Sequence, residues 1–291
     1  MHEWETELQS VKVQKLKSRQ ELEEALGFLK THHSINLYLY EGISSEKRPW
    51  ASFSLKTAGR SAGVFHTKNG EYFHLFFPPG TGTEAAAVLR EFLLRKYPGA
   101  SVFFGEREGI AEFFQEAGIG VRKRREYYFM EVEKRNFTPS LGYTCVRPSA
   151  ETVSLLLPLQ VGYEMEELGV SSSEIQASKT SLALRKRLER GEVTALFHGG
   201  EPVAVASVNA RFGDTCQIGS IYVAPEHRGR GYGRSVVSSH VMRLFDAYER
   251  IALFVDRKNE RAIRLYRGLG FRKAGELIQA HVEELQEPER P

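Results

Sequence analysis

Four short runs in the second half of the chain, "VTALFH" (193–198), "VAVASVNA" (203–210), "QIGSIYV" (217–223) and "IALFV" (251–255), are apolar in alternation or throughout. Each gives way to glycine, proline or charged residues. That pattern predicts strands, because successive side chains of a strand face opposite sides of a sheet. "GGEP" between the first two predicts a hairpin. "YTCVR" (143–147) and "AGELIQAHVE" (274–283) add a short first strand and a last one. Elsewhere the spacing is helical. Val237, Val241 and Leu244 share one face, and "NERAIRLYRGLGF" (259–271) opens on a capping Asn259 and stops at Gly270. Residues 151–169 read as a helix interrupted or kinked at Pro158. Ser171 and Glu174 have capping-box spacing for a helix that runs to about Gly191. The order β–α–α–β–β–β–α–β–α–β results, a mixed α/β fold.

The first half repeats part of this grammar. Residues 71–119 read as strand, Gly-x-Gly loop, helix, strand and a short helix ending in glycine. Gly80 and Gly82 lie 151 residues before Gly231 and Gly233, and Gly118 lies 152 before Gly270. A repeat of that period in 291 residues predicts two copies of one fold, with domains 1–140 and 141–291.

Composition narrows the setting. The chain is long enough for two ordinary cores, and its 41% hydrophobic content is that of a globular protein. Two cysteines are too few for a disulfide framework, which favours a reducing compartment. "MHEWETELQSVKVQK" has no apolar signal region, and no apolar stretch approaches the roughly 20 residues of a membrane helix. The expected location is the cytoplasm, with no membrane partner. The net charge of +3 divides into +2 for residues 1–140 and +1 for 141–291, so neither half has the basic excess of a nucleic-acid binder. "RKRR" (122–125) reads as a solvated loop before a strand.

One stretch stands out against this even background. "RGRGYGR" (228–234) places three arginines and three glycines between a strand and a helix. There a chain can aim backbone N–H groups and the positive end of a helix dipole at an anion. The reading is a phosphate cradle. It is not a dinucleotide fingerprint, since the spacing is G-x-G-x-G, nor a nucleoside-triphosphate loop, since Gly-Lys-Ser/Thr is absent.

Here the residues resemble a known family. "IYVAPEHRGRGYGRSVV" is similar to the acyl-CoA signature of the GNAT acetyltransferase superfamily, Q/R-x-x-G-x-G/A, filled by Arg228, Gly231 and Gly233. Asn259, Ala262, Tyr266, Gly270 and Phe271 resemble the same family's second signature, and the matching glycines are 39 residues apart. The resemblance covers about residues 141–291. It implies a mixed, mostly antiparallel sheet flanked by helices in each copy, and acetyl-CoA as cosubstrate. The Arg228 side chain and the backbone of Gly229, Arg230, Gly231, Tyr232, Gly233 and Arg234 would hold the pyrophosphate, with Asn259 in the second signature. Free backbone groups around Ile221, Tyr222 and Val223 would pair with the pantetheine arm. An N–H near Val223 would steady the oxyanion, and Tyr266 would protonate the departing thiolate. No metal is implied, because the thioester is already activated.

Aligned through the glycines, the first copy has Phe77 for Arg228, Arg107 for Asn259 and Phe114 for Tyr266. Its loop has shrunk from "APEHRGR" to "PP", and proline has no N–H to offer. It reads as a degenerate GNAT-like domain that supports the fold and walls the acceptor site. For the acceptor, Glu164 and Glu167 of "YEMEELG" share a helix face, where they would bind an ammonium group or relay its proton, or form a solvated face. His198 ends a strand, as a surface or core residue or as a base. Two functions stand open: an acetyl-CoA-dependent amine N-acetyltransferase, and an acyl-CoA-binding module without turnover.

Overall fold

The computed structural model describes residues 11–31, 34–44, 51–140 and 142–283. The charged opening run, residues 1–10, lies outside them. The elements in chain order are β1 (Lys12–Lys15), α1 (Arg19–Lys30), α2 (Leu37–Ser44), β2 (Ala51–Thr57), β3 (Arg60–Thr67), β4 (Tyr72–Phe76), α3 (Thr83–Lys96), β5 (Val102–Glu106), α4 (Arg107–Ala117) and β6 (Val121–Glu133). They continue with β7 (Cys145–Val146), α5 (Val153–Glu166), α6 (Ala177–Glu189), β8 (Val193–His198), β9 (Glu201–Phe212), β10 (Thr215–Val223), α7 (Tyr232–Leu244), β11 (Arg250–Asp256), α8 (Glu260–Arg267) and β12 (Arg272–Val282). The ten elements from β7 onward follow the order read from the sequence.

Two compact units form, residues 1–128 with 275–291, and residues 129–274. Contiguous halves divided at 140 are not what the chain builds. The first unit takes its closing strand from the far end of the sequence: β12 runs antiparallel to β5, with Ala280 opposite Phe103. Ile278, Ala280 and Val282 complete its apolar core. The second unit takes Phe129–Glu133 of β6, where Phe129 packs on Phe254 of β11 and Lys134 donates to the Glu249 carbonyl.

In the first unit the period-two pattern separates two faces. Phe53, Leu55, Phe65, Phe73 and Leu75 meet α3 and α4, while Val64 and Phe76 meet α1 and α2. In the second unit α5 and α6 cover Val193, Ala195, Val205 and Tyr222. Each fully buried side chain of this size contributes roughly 1.5–3 kcal/mol. Each unit contains a parallel strand pair, β4 with β5 and β10 with β11.

Three local readings need correction. Pro158 lies inside α5, which runs through it unbroken; the proline removes the donor for Ser154, an exposed residue whose surroundings include water. Ser171 and Glu174 do bond, Ser171 N–H to the Glu174 carboxylate at 2.9 Å, but they close a turn. The helix starts only at Ala177, after an N-cap that makes no side-chain bond. "RKRR" is part of strand β6, where Arg125 lies over the Tyr127 ring.

Candidate functional site

β10 sets the geometry. Its parallel ladder with β11 is three pairs long, Thr215 to Gln217 opposite Arg250 to Ala252. Both strands continue, to Val223 and Asp256, so past Gln217 the ladder pairs β10 with β9 alone. The β9 register shifts after Gln217 and again between Gly219 and Tyr222, and Ser220 has a left-handed φ of 46°. This is a bulge, which bends its strand and accounts for the parting from β11. Ser220 and Ile221 sit within the shift, opposite no β9 residue. Ala224 donates to the Val203 carbonyl. Antiparallel bonding alternates, so the N–H and C=O of Val223 turn away from β9 toward the opened side.

The loop after Val223 makes one 3-10 turn, Pro225–His227, and reaches Gly229 and Gly231 at φ 83° and 86°. Gly231 is the N-cap of α7, and no side chain caps that end. The first bond inside the helix runs from Ser235 N–H to Gly231 C=O. The N–H groups of Tyr232, Gly233 and Arg234 therefore have no partner within the helix and sit at its positive end. A Cβ on Gly229 or Gly231 would meet nothing nearer than 3.8 Å, so the space there is open; the left-handed φ is what requires glycine. A Cβ on Gly233 would come to 3.3 Å from Val223 and 3.4 Å from Leu265, so strand end, helix start and α8 converge.

Arg228 is where the structure departs most from the sequence reading. Its guanidinium turns back to β10: Nε donates to the Val223 carbonyl at 3.0 Å, and Nη2 donates to the Glu166 carboxylate at 2.6 Å. Its carbon lies 5.4 Å from the centre of the Tyr222 ring. The Tyr222 hydroxyl also donates to Glu166, at 3.3 Å. The hydrogen bond from Arg228 holds Glu166 below the usual carboxylate range. Glu166, at the end of α5, carries no distinguishing mark in the sequence, where it is one of three carboxylates in four residues (164–167).

Those neighbours separate. Glu164 accepts from Gln160 at 3.1 Å and from Thr180 at 3.0 Å, which ties α5 to α6. The paired carboxylates expected at 164 and 167 are not equivalent, since Glu164 is spent on helix packing. Glu167 lies near enough to Tyr266 for its charge to raise that phenol's pKa. Tyr266 is 6% exposed, and burial first, then Glu167 and Tyr163, push its phenol well above the ordinary value. It keeps its proton at neutral pH. Asn259 caps α8, its side-chain oxygen accepting from Ala262 N–H at 3.1 Å. Arg234 lies against Gly268 at the end of α8, while Gly229 and Arg230 are exposed. His198 sits with its ring 5.6 Å from Tyr232 and 6.2 Å from His227, beside the start of α7.

The first unit holds a counterpart. Gly82 is the N-cap of α3 at φ 92°, and Gly80 precedes it at φ 85°. Matched by role, Gly80 and Gly82 correspond to Gly229 and Gly231, two residues away from the alignment by motif, so Pro79 rather than Phe77 stands at the place of Arg228. The alignment of Phe114 with Tyr266 agrees with the backbone: Ile119 N–H bonds Phe114 C=O as Phe271 N–H bonds Tyr266 C=O. Here the loop faces carboxylates. Gly80 N–H donates to both Glu112 oxygens at 2.9 Å, and the Thr83 hydroxyl donates to Glu116. A small cleft of about 10 Å³ lies behind, lined by Leu55, Phe77, Leu89 and Phe113.

Among the described residues no helix is long and apolar enough to cross a membrane, and no group of three or more His, Cys, Asp or Glu could hold a metal ion.

Comparison with known proteins agrees with this geometry. Residues 163–271 match the model of the acetyltransferase (GNAT) family. A mycothiol acetyltransferase of Kineococcus radiotolerans is 37% identical over 65 residues, 21% of this chain and 22% of that protein, so the match spans about a fifth of the relative's length. A tandem GNAT protein from the clavulanic acid biosynthesis pathway superposes with a TM-score of 0.66 at 14% identity, covering 96% of this chain and all of that one (100%). A GCN5-related N-acetyltransferase from Sphaerobacter thermophilus gives 0.65 at 12% identity, over 95% and 96% of the two chains. With the bulged strand, the glycine loop and the α8 signature in place, the conclusion is that this chain has the fold of a tandem GNAT protein, and that its residues 163–271 match the acetyltransferase (GNAT) family.

Proposed function

We propose that the second unit transfers an acetyl group from acetyl-CoA to a primary amine. The observation that carries this is the opened end of β10, where the Val223 N–H faces a gap between strands beside the uncapped start of α7. The amides of residues 229–234 would hold the pyrophosphate of coenzyme A, and the pantetheine arm would pair along Ile221 to Val223. Arg228 supplies positive charge near this loop, yet two of its N–H groups are already engaged. The Val223 N–H would stabilise the oxyanion as the amine nitrogen attacks the acyl carbon. The carbon–sulfur bond then breaks, Tyr266 gives its proton to the thiolate, and the proton lost by the amine passes to Glu167 or to water. A buried phenol with a raised pKa suits the acid role. The resemblance to a named mycothiol acetyltransferase supports acetyl transfer as the chemistry. In this reading the first unit binds no coenzyme A.

The test is thiol release from acetyl-CoA on adding a panel of primary amines, with mass detection of products. An acetylated amine with stoichiometric thiol supports the reading. Tight acetyl-CoA binding with no release under any amine would instead favour a binding module without turnover.

A further inference from the structure

In the free protein, the arginine of the glycine loop is fastened to the strand before it and to a helix that precedes it by some sixty residues. Arg228 reaches five residues back to the Val223 carbonyl at 3.0 Å, and the carboxylate that fixes it there, Glu166, stands at the end of α5 at 2.6 Å. Tyr222 holds the same carboxylate from beneath, at 3.3 Å, with the guanidinium over its ring. Arg228, Glu166 and Tyr222 make a closed set around the end of β10. Both groups of the peptide between Val223 and Ala224 are thereby engaged, the carbonyl by Arg228 and the Ala224 N–H by the Val203 carbonyl. Past Gln217 the strand has lost its β11 ladder, so the Arg228 contact supplies a bond on the opened side. A backbone otherwise held from one side only is fixed from both.

We propose that Glu166 is a positioning residue for acetyl transfer: by anchoring Arg228 on the Val223 carbonyl it fixes the strand end, and so aims the Val223 N–H at the acyl oxygen. This rests on the reading of the second unit as an acetyl-CoA-dependent acyltransferase. It has a second consequence. The Glu166 carboxylate offsets the Arg228 charge, so the free guanidinium is not offered whole to a phosphate. Removing Glu166 therefore acts in opposite directions on binding and on chemistry. Arg228, released, can pair with the cofactor's phosphates through a charge-assisted bond. The N–H at Val223, no longer fixed, loses its aim. A misplacement of that kind costs up to about 100-fold in rate. A residue needed only for the fold would weaken both together.

The experiment compares the full chain with Glu166→Ala and Glu166→Gln. Coenzyme A affinity is measured by calorimetry, and single-turnover thiol release from acetyl-CoA is followed with the amine that the wild type uses best. Glu166→Ala is expected to lower the release rate by roughly 10- to 100-fold while binding coenzyme A several-fold more tightly. Glu166→Gln keeps an oxygen that accepts from Arg228 but not the charge. Its rate should stay within about threefold of wild type, with the tighter binding retained. A wild-type rate in Glu166→Ala overturns the proposal, and so does a rate loss matched by an equal loss of affinity. Should Glu166→Ala fail to fold, Glu166→Gln still decides: unchanged or weakened coenzyme A binding in that variant overturns it. A wild-type chain that binds no acetyl-CoA would instead overturn the reading on which the proposal rests.

Discussion

Two loops in this chain share a backbone and differ in what faces it. Residues 77–82 and 224–231 each leave the end of a strand with one parallel neighbour and each pass two left-handed glycines into a helix N-terminus. In both, a Cβ built on either glycine would have open space before it, so room alone does not separate them. In the first, Glu112 and Glu116 of α4 stand where an anion would, and the Gly80 N–H is already bonded to a carboxylate. The loop is also two residues shorter and has two prolines. A glycine turn at a helix start is thus a geometry, not a binding site. The neighbours decide whether its amides are offered to a ligand or consumed at home.

The largest effect expected from testing that contrast is on chemistry. Tyr266→Phe should lower kcat by about 10²–10⁴, the usual worth of a general acid, with little change in coenzyme A affinity. Phe114→Tyr, its counterpart, should change neither. Because burial raises the Tyr266 phenol above its ordinary 10.0, the wild-type rate should hold its plateau through pH 10. A basic limb below that pH would assign proton donation elsewhere. The next effect is on binding. Gly231→Val, which forces a branched residue into a left-handed φ beside the amides, should weaken acetyl-CoA by ~100-fold or more, while Gly82→Val leaves it unchanged. Calorimetry should give one coenzyme A per chain, and two would erase the distinction between the loops.

Smaller effects sharpen it. Glu112→Gln with Glu116→Gln removes two negative charges from the first loop and should let it take up inorganic pyrophosphate, weakly, at roughly millimolar concentration. If no uptake follows, the shortened, proline-bearing loop is what excludes the anion. The smallest expected effect concerns acid. Burial lowers His66 to about 3 and His74 to about 4 in the first unit, and His240 to about 3 in the second. Unfolded imidazoles take up a proton near 6.5, so these three stabilise the fold above that pH, and the contribution is lost as pH falls from 6.5 toward the folded values. Each imidazole can cost up to about 1.4 kcal/mol per pH unit in that window. With two such histidines against one, the first unit should lose hydrogen-exchange protection before the second between pH 6.5 and 4.5. Equal loss in both would show that other groups dominate.

Element order was legible because it is written in local periodicity, and both signature loops stand where spacing put them. What was hidden depended on contacts between distant residues. Glu166 looks like any other carboxylate in "YEMEELG"; only the return of Arg228 across β10 distinguishes it. The Ser171–Glu174 spacing points to a bond, but a capping pair can close a turn as well as start a helix, and nothing nearby tells which. Glycine spacing alone sets the loop register off by two, because it does not say which glycine caps the helix. The unit boundary is hidden for the same kind of reason. No local signal says that β12 belongs beside β5.

That last pairing has a consequence for synthesis. A chain emerging from the ribosome completes every other strand of the first unit by about residue 128, yet the strand that lies opposite Val102–Glu106, Leu277–His281, is made some 150 residues later. At ordinary elongation rates of roughly 5–20 residues per second, the wait is on the order of ten seconds. Over that time β5, with Phe104 at its centre, offers an uncovered apolar edge of the kind that pairs with other chains. A nascent-chain holdase is therefore expected to raise the soluble yield of this protein more than it raises that of a chain whose strands close in order of translation.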